Sequence, residues 1–168
     1  NEIRFPLGGI GTGSVCIAGN GSLLDWEIFN RPDKGSFNSY SFFAIKAQYS
    51  SGQKVCKVLQ GDWTKDLTGQ FIESYGYGAN TARMFGFPHF RNVTFDGTFP
   101  IATITFQDDD FPGTVILKAF NPMIPLDSEN SSIPCAFFQI EVESPEDGIE
   151  YTVVFSVRNP LQETVNEK

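Results

Sequence analysis

The chain has 168 residues, 40% of them hydrophobic and 14% aromatic, with 17 Phe; that is one domain's length and enough apolar surface for a real core. Acidic residues outnumber basic ones 20 to 12, giving a net charge of −8. This balance excludes non-specific nucleic-acid or anionic-membrane binding as default functions, since both need clustered cations. No apolar run approaches the roughly 20 residues of a membrane-spanning helix.

The chain opens with Asn1-Glu2-Ile3-Arg4 and stops at Asn166-Glu167-Lys168 with no start or stop signal of its own, so it reads as a piece of a larger polypeptide. The compartment stays open between a bacterial exported (periplasmic or extracellular) protein and a cytoplasmic one. Apolar and polar residues then alternate with period two. Residues 14–18 and 23–29 form two short strands around Gly19-Asn20-Gly21. Phe43, Ile45, Ala47 and Tyr49 alternate with Phe42, Ala44, Lys46 and Gln48, and Ser50-Ser51-Gly52 turns the chain into residues 54–59. Residues 99–106 and 114–120 flank the turn cluster Asp108-Asp109-Asp110-Phe111-Pro112-Gly113. In the last pair, Ala136, Phe138, Ile140 and Val142 share one face. Tyr151, Val153, Phe155 and Val157 share another, and the short turn from Ser144 to Gly148 predicts an antiparallel hairpin. No window of about 12 residues has helical periodicity, and Gly and Pro interrupt nearly all of them. The expected class is all-β, an antiparallel β-sandwich, with two long irregular segments at residues 61–88 and 121–134.

Several motifs invite chemical readings. Leu7-Gly8-Gly9-Ile10-Gly11-Thr12-Gly13 has neither the spacing nor the strand and helix of a phosphate loop, so it reads as a turn needing positive φ or close backbone contact. Asp25 and Glu27, two apart, share a face if they lie on a regular strand. Glycoside hydrolysis uses carboxylates about 5–5.5 or 6.5–9.5 Å apart, but a solvated strand face paired with Arg31 or Lys34 is the plainer reading. His89 is the lone histidine, too few for a His-rich metal site or a histidine-based triad without a nucleophile elbow. Cys16, Cys56 and Cys135 lack zinc spacing and read as buried free thiols, and no metal or other cofactor is expected. Three sequons, at Asn20, Asn92 and Asn130, are close to chance. Trp63, Phe71, Tyr75 and Tyr77 lie in a polar, Gly-rich stretch, where Trp63, Tyr75 and Tyr77 are candidates for stacking on sugar rings and otherwise fold the loop onto the sandwich.

Two blocks carry a resemblance. Phe5-Pro6-Leu7-Gly8-Gly9-Ile10-Gly11-Thr12-Gly13-Ser14 followed by Asp25-Trp26-Glu27-Ile28-Phe29-Asn30-Arg31-Pro32-Asp33-Lys34-Gly35 resembles the N-terminal domain of glycoside hydrolase family 116. That family holds the non-lysosomal glucosylceramidases and bacterial β-glucosidases. Ala119-Phe120-Asn121-Pro122-Met123-Ile124-Pro125-Leu126, Ser131-Ser132-Ile133-Pro134 and Ala136-Phe137-Phe138 resemble it too. The resemblance implies a supersandwich-like β-domain, of which this chain is the whole or an incomplete portion. It also implies a separate C-terminal helical barrel that carries the catalytic carboxylates and acts on a β-glucoside or glucosylceramide-like substrate. No catalytic residue is carried onto this chain. Gly9, Gly11, Thr12, Gly13, Trp26, Asn30, Arg31 and Asp33 are expected at the domain interface or cleft rim, with Arg31 or Asp33 in cross-domain ion pairs. The alternatives are an independent carbohydrate-binding module and a structural or adhesion sandwich of an exported protein.

Overall fold

The computed structural model describes residues 3–29, 31–62 and 83–160. Its strands follow the alternating runs. Two lie near the start, β1 (Arg4–Leu7) and β2 (Ser14–Ala18), followed by β3 (Leu23–Glu27), β4 (Phe42–Gln48) and β5 (Lys54–Val58). Then come β6 (Asn92–Asp96), β7 (Ala102–Gln107), β8 (Thr114–Phe120), one short helix α1 (Ser128–Ser131), β9 (Phe137–Glu143) and β10 (Glu150–Ser156). They form three antiparallel sheets, ordered β1-β2-β3, β10-β4-β5 and β6-β7-β8-β9. The all-β sandwich class expected from the periodicity is what the chain adopts.

The core lies where the alternating faces meet. β4 turns Phe43, Ile45 and Ala47 inward, β7 turns Ala102, Ile104 and Phe106, and β8 turns Val115, Leu117 and Ala119, all of them buried. Leu7, Ile17 and Leu23 of the first sheet join the same cluster, with Phe90 and Phe111 from loops. Each buried Val, Leu, Ile or Phe among them contributes about 1.5–3 kcal/mol by leaving water, each Ala less. Phe90 meets Phe106 at 5.5 Å and Phe111 at 5.1 Å between ring centroids, in tilted and edge-on contacts.

The β4–β5 and β7–β8 pairs are the expected hairpins. The expected β9–β10 hairpin is not formed. β9 pairs with β8, while β10 pairs with β4 in the other sheet. Alternation tells which face of a strand is buried, not which strand it pairs with. Both apolar faces here point into the same core from opposite layers: Phe138 lies 5.0 Å from Phe43 and 6.0 Å from Phe155, which stacks on Phe43 at 4.2 Å. Residues 144–149 therefore arch between sheets. Among the described residues the arch leaves one edge of β9 and one of β10 unpaired, and Val153 and Phe155 remain 44% and 49% exposed although β10 turns them toward the core side of β4.

β1, β6 and α1 were not among the elements read from the sequence. The strand read as residues 99–106 starts at Ala102. Of the cysteines, only Cys16 is fully buried. Cys135 is partly buried and Cys56 is exposed, because the inward positions of β5 are Val55 and Lys57.

Candidate docking site around the glycine-rich turn

Residues 8–13 connect β1 to β2 and are clamped from two sides. A Cβ on Gly9 would lie 2.5 Å from the Ile133 carbonyl oxygen, and one on Gly13 would lie 2.6 Å from Ile28 Cα. Glycine at these positions lets backbone press on backbone. The Ile10 amide donates to the Ser131 carbonyl at 2.9 Å, and the Thr12 amide closes the turn on the Gly9 carbonyl at 3.1 Å. Gly11 and Thr12 are exposed at its tip.

The second wall comes from the end of β3 and residues 31–36. Asp25 has φ +52, next to an irregular register in which Cys16 pairs with Leu24 and Ser14 with Glu27. That left-handed residue breaks the strand alternation, so Asp25 and Glu27 do not form the regular strand face expected of them. Asp25 is buried, and Oδ1 accepts the Gly35 amide at 2.7 Å. Its Oδ2 lies 3.7 Å from Arg4 Nε and 3.9 Å from Lys34 Nζ. Glu27 Oε2 accepts Lys34 Nζ at 2.7 Å and Oε1 accepts the Asp33 amide at 2.9 Å. The pairing expected of Arg31 or Lys34 is thus made by Lys34. These two bonds, the Lys34 one first, hold the Glu27 carboxyl below its usual range. Burial, and then the Asp25 charge, push the neighbouring Cys16 thiol up to about 11.

Between the walls, Thr12, Ser14, Glu27, Arg31 and Pro32 line an open polar hollow of about 280 Å³. Arg31, in its lining, and Asp33 nearby are exposed. Trp26 is half-buried and packs against the core, with its indole Nε1 buried and unpartnered among the described residues. Asn30, Trp63, Tyr75 and Tyr77 lie outside the described residues, as does Phe71.

The third element is the segment 121–134, which the sequence reading left as irregular. Ser131 is completely buried at its centre. Its hydroxyl accepts the Ile124 amide at 2.9 Å and donates to the Ile124 carbonyl at 3.1 Å. Its amide donates to the Asp127 carbonyl at 3.2 Å, while its own carbonyl holds Ile10. The Asp127 side chain caps α1 by accepting the Asn130 amide at 3.0 Å. The two blocks that carry the resemblance, more than a hundred residues apart, meet at this serine.

A separate charged cluster also escaped the sequence reading. Lys57 Nζ, buried, lies 2.7 Å from Asp108 Oδ2, 2.6 Å from Asp110 Oδ1 and 3.0 Å from the His89 carbonyl oxygen. His89 is a packed residue, with burial pushing its pKa down. The available signal was the inward position of Lys57 in the alternation of β5, facing an aspartate-rich turn.

A family model described as "beta-glucosidase 2, glycosyl-hydrolase family 116 N-term" matches residues 4–168. The chain belongs to glycosyl hydrolase family 116. It is the family's N-terminal domain, the β-rich part of an enzyme that implies a catalytic partner domain. Within this family 116 domain, the glycine-rich turn touches both the end of β3, at Glu27 and Ile28, and the 121–134 segment, at Ser131, Ser132 and Ile133. No helix among the described residues is long and apolar enough to cross a membrane.

Proposed function

We propose that this family 116 domain is non-catalytic and docks on the catalytic partner domain, using residues 8–13 and 26–35 to shape the rim of its cleft. The supporting observation is the state of the two carboxylates nearest the hollow. Both Asp25 oxygens and both Glu27 oxygens are already engaged by Arg4, Lys34 and backbone amides. A general acid or nucleophile needs a carboxylate free to face the substrate. These are fastened to their own loop, and they stiffen it into a surface. Arg31 and Asp33 stay exposed for ion pairs across the domain boundary.

The substrate of the assembled enzyme on this reading is a β-glucoside, glucosylceramide-like in the glucosylceramidase branch, and the reacting carboxylates belong to the partner domain. The half-exposed inward residues Val153 and Phe155 further support the chain being part of a larger sandwich, whose next strand adds to β10. Two measurements test the reading. The chain alone should not turn over an aryl β-glucoside; turnover abolished by Glu27→Gln would overturn it. A structure of the two-domain enzyme should bring residues 8–13 and 26–35 against the catalytic domain; both loops in bulk solvent would overturn the docking.

A further inference from the structure

The segment 121–134 carries an exposed apolar surface that the fold holds in place. Met123, Ile124, Ile10 and Ile133 are 42–51% exposed, and Leu126 is wholly exposed. Ser131 ties them together, through its hydroxyl to Ile124 and its carbonyl to Ile10. Pro122, Pro125 and Pro134 restrict the same backbone. Leu126 also sits at φ +67, a conformation that costs a leucine free energy and that Asn or Gly would adopt more easily. A bulky apolar side chain, strained in its backbone and in contact with water, packs on nothing among the described residues. A few well-packed residues supply most of the binding energy at an interface, and a side chain whose backbone is already fixed loses less freedom on binding.

We propose that Leu126, flanked by Met123, Ile124, Ile133 and Ile10, is the apolar anchor with which this domain enters a basic-rimmed apolar groove on the catalytic partner domain. The inference rests on the docking reading above and adds the element that dominates its energy. Two observations select this occupant. The patch is continuous with the glycine-rich turn through the Ile10–Ser131 bond, so it faces the same partner. Its border is acidic, with Asp127 and Glu129, on a chain of net charge −8; a second copy or an anionic membrane would bring like charges together, and a basic rim would not. Strand addition is disfavoured here, because the Ile124 carbonyl and the Asp127 amide and carbonyl are used within the segment.

The experiment titrates the full chain with the catalytic partner domain by calorimetry and maps amide exchange with and without it. Leu126→Asn removes the anchor and suits the positive φ. It should weaken binding at least tenfold while the melting temperature of the chain holds or rises. Ile10→Ser, on the turn side of the patch, should also weaken binding. In wild type, the amides of Met123, Ile124, Leu126 and Asp127 should slow on complex formation. Unchanged affinity in Leu126→Asn overturns the inference. So does a fall in melting temperature matching the loss of affinity, which would make Leu126 structural, or a homodimer of the chain abolished by the same variant. If residues 8–13 and 26–35 are protected while 121–134 is not, the inference fails and the docking reading stands. If none is protected, both fail.

Discussion

Asp108→Asn tests the energetics of the fold most directly, because the Asp108 side chain has no exposed surface and Lys57 only 5%. Burial raises the Asp108 carboxyl, but the Lys57 bond and the Arg91 amide, 3.0 Å from Oδ2, more than offset it and hold it at about 2 against a usual 3.8. By linkage that gap corresponds to about 2 kcal/mol of stability. Because the folded value is depressed, the contribution is fully present above about pH 4 and is lost as pH falls through about 2. The variant forfeits it at neutral pH and leaves Lys57 with Asp110, whose side chain is 58% exposed.

Urea unfolding at pH 7, 4 and 2.5 reads this out. Asp108→Asn should be about 2–3 kcal/mol less stable than wild type at pH 7 and pH 4, and the gap should shrink at pH 2.5. The difference between the two chains matters, since groups remote from the Lys57 cluster contribute equally to both. Lys57→Met strands a buried carboxylate and should cost about 3–5 kcal/mol, with the double variant costing less than the sum. A wild-type-to-variant gap that stays constant from pH 7 to 2.5, or no gap at pH 7, would refute the assignment of that stability to the Lys57–Asp108 pair.

Gly9→Ala forces a Cβ to within 2.6 Å of Ser132 and Ile133 backbone atoms and should cost about 1–3 kcal/mol, seen as a lower melting temperature; Gly11→Asn, at φ +73 in open space, is the control that should not. Ser131→Ala leaves the Ile124 amide unpartnered and should cost about 1–3 kcal/mol, with faster hydrogen exchange at that amide; unchanged exchange would remove Ser131 as the hub. Cys56 should alkylate in the folded chain, whereas Cys16, buried with its thiol at about 11, should react only on unfolding; equal rates would contradict its burial. The free β10 edge bears Val153, Val154 and Phe155 with Glu150 its one charge, while β5 carries Lys54 and β9 carries Glu141 and Glu143. Val154→Lys should therefore reduce concentration-dependent association in light scattering without lowering the melting temperature.

The sequence made the faces of strands legible and their partners much less so. Phe43, Ile45 and Ala47 announce an inward face in β4, and they are buried as expected. The same rule found the inward face of β9 and the apolar run of β10 but not their separation into two sheets, because an arch and a hairpin place identical side chains toward a core. Alternation also needs every residue in the extended region. Asp25, at φ +52, steps out of it, and the paired-carboxylate face expected of Asp25 and Glu27 disappears with that one dihedral. Lys57 failed to register for a different reason. The sequence points to the adjacent Cys56 as the buried position, a lysine is read as solvated unless its partners are known, and Asp108 lies 51 residues away.

At the candidate site, the residues that marked the family are the ones that let distant segments touch. Gly9 and Gly13 carry no chemistry; they remove the Cβ atoms that would hold residues 131–133 and 27–28 away from the turn. Asp25 and Glu27 resemble a catalytic pair in type and spacing, yet each carboxylate closes the 31–36 loop onto β3. Ser131 satisfies three otherwise free backbone groups, at Ile10, Ile124 and Asp127, from one buried position. All of these groups turn their polar atoms inward, onto the chain itself. Among the groups exposed there are Phe29, Arg31, Asp33 and the Leu126 cluster: a polar hollow beside an apolar knob. On the docking reading proposed above, such a surface has its bonding capacity spent on its own shape and gains most by being covered with another shaped surface.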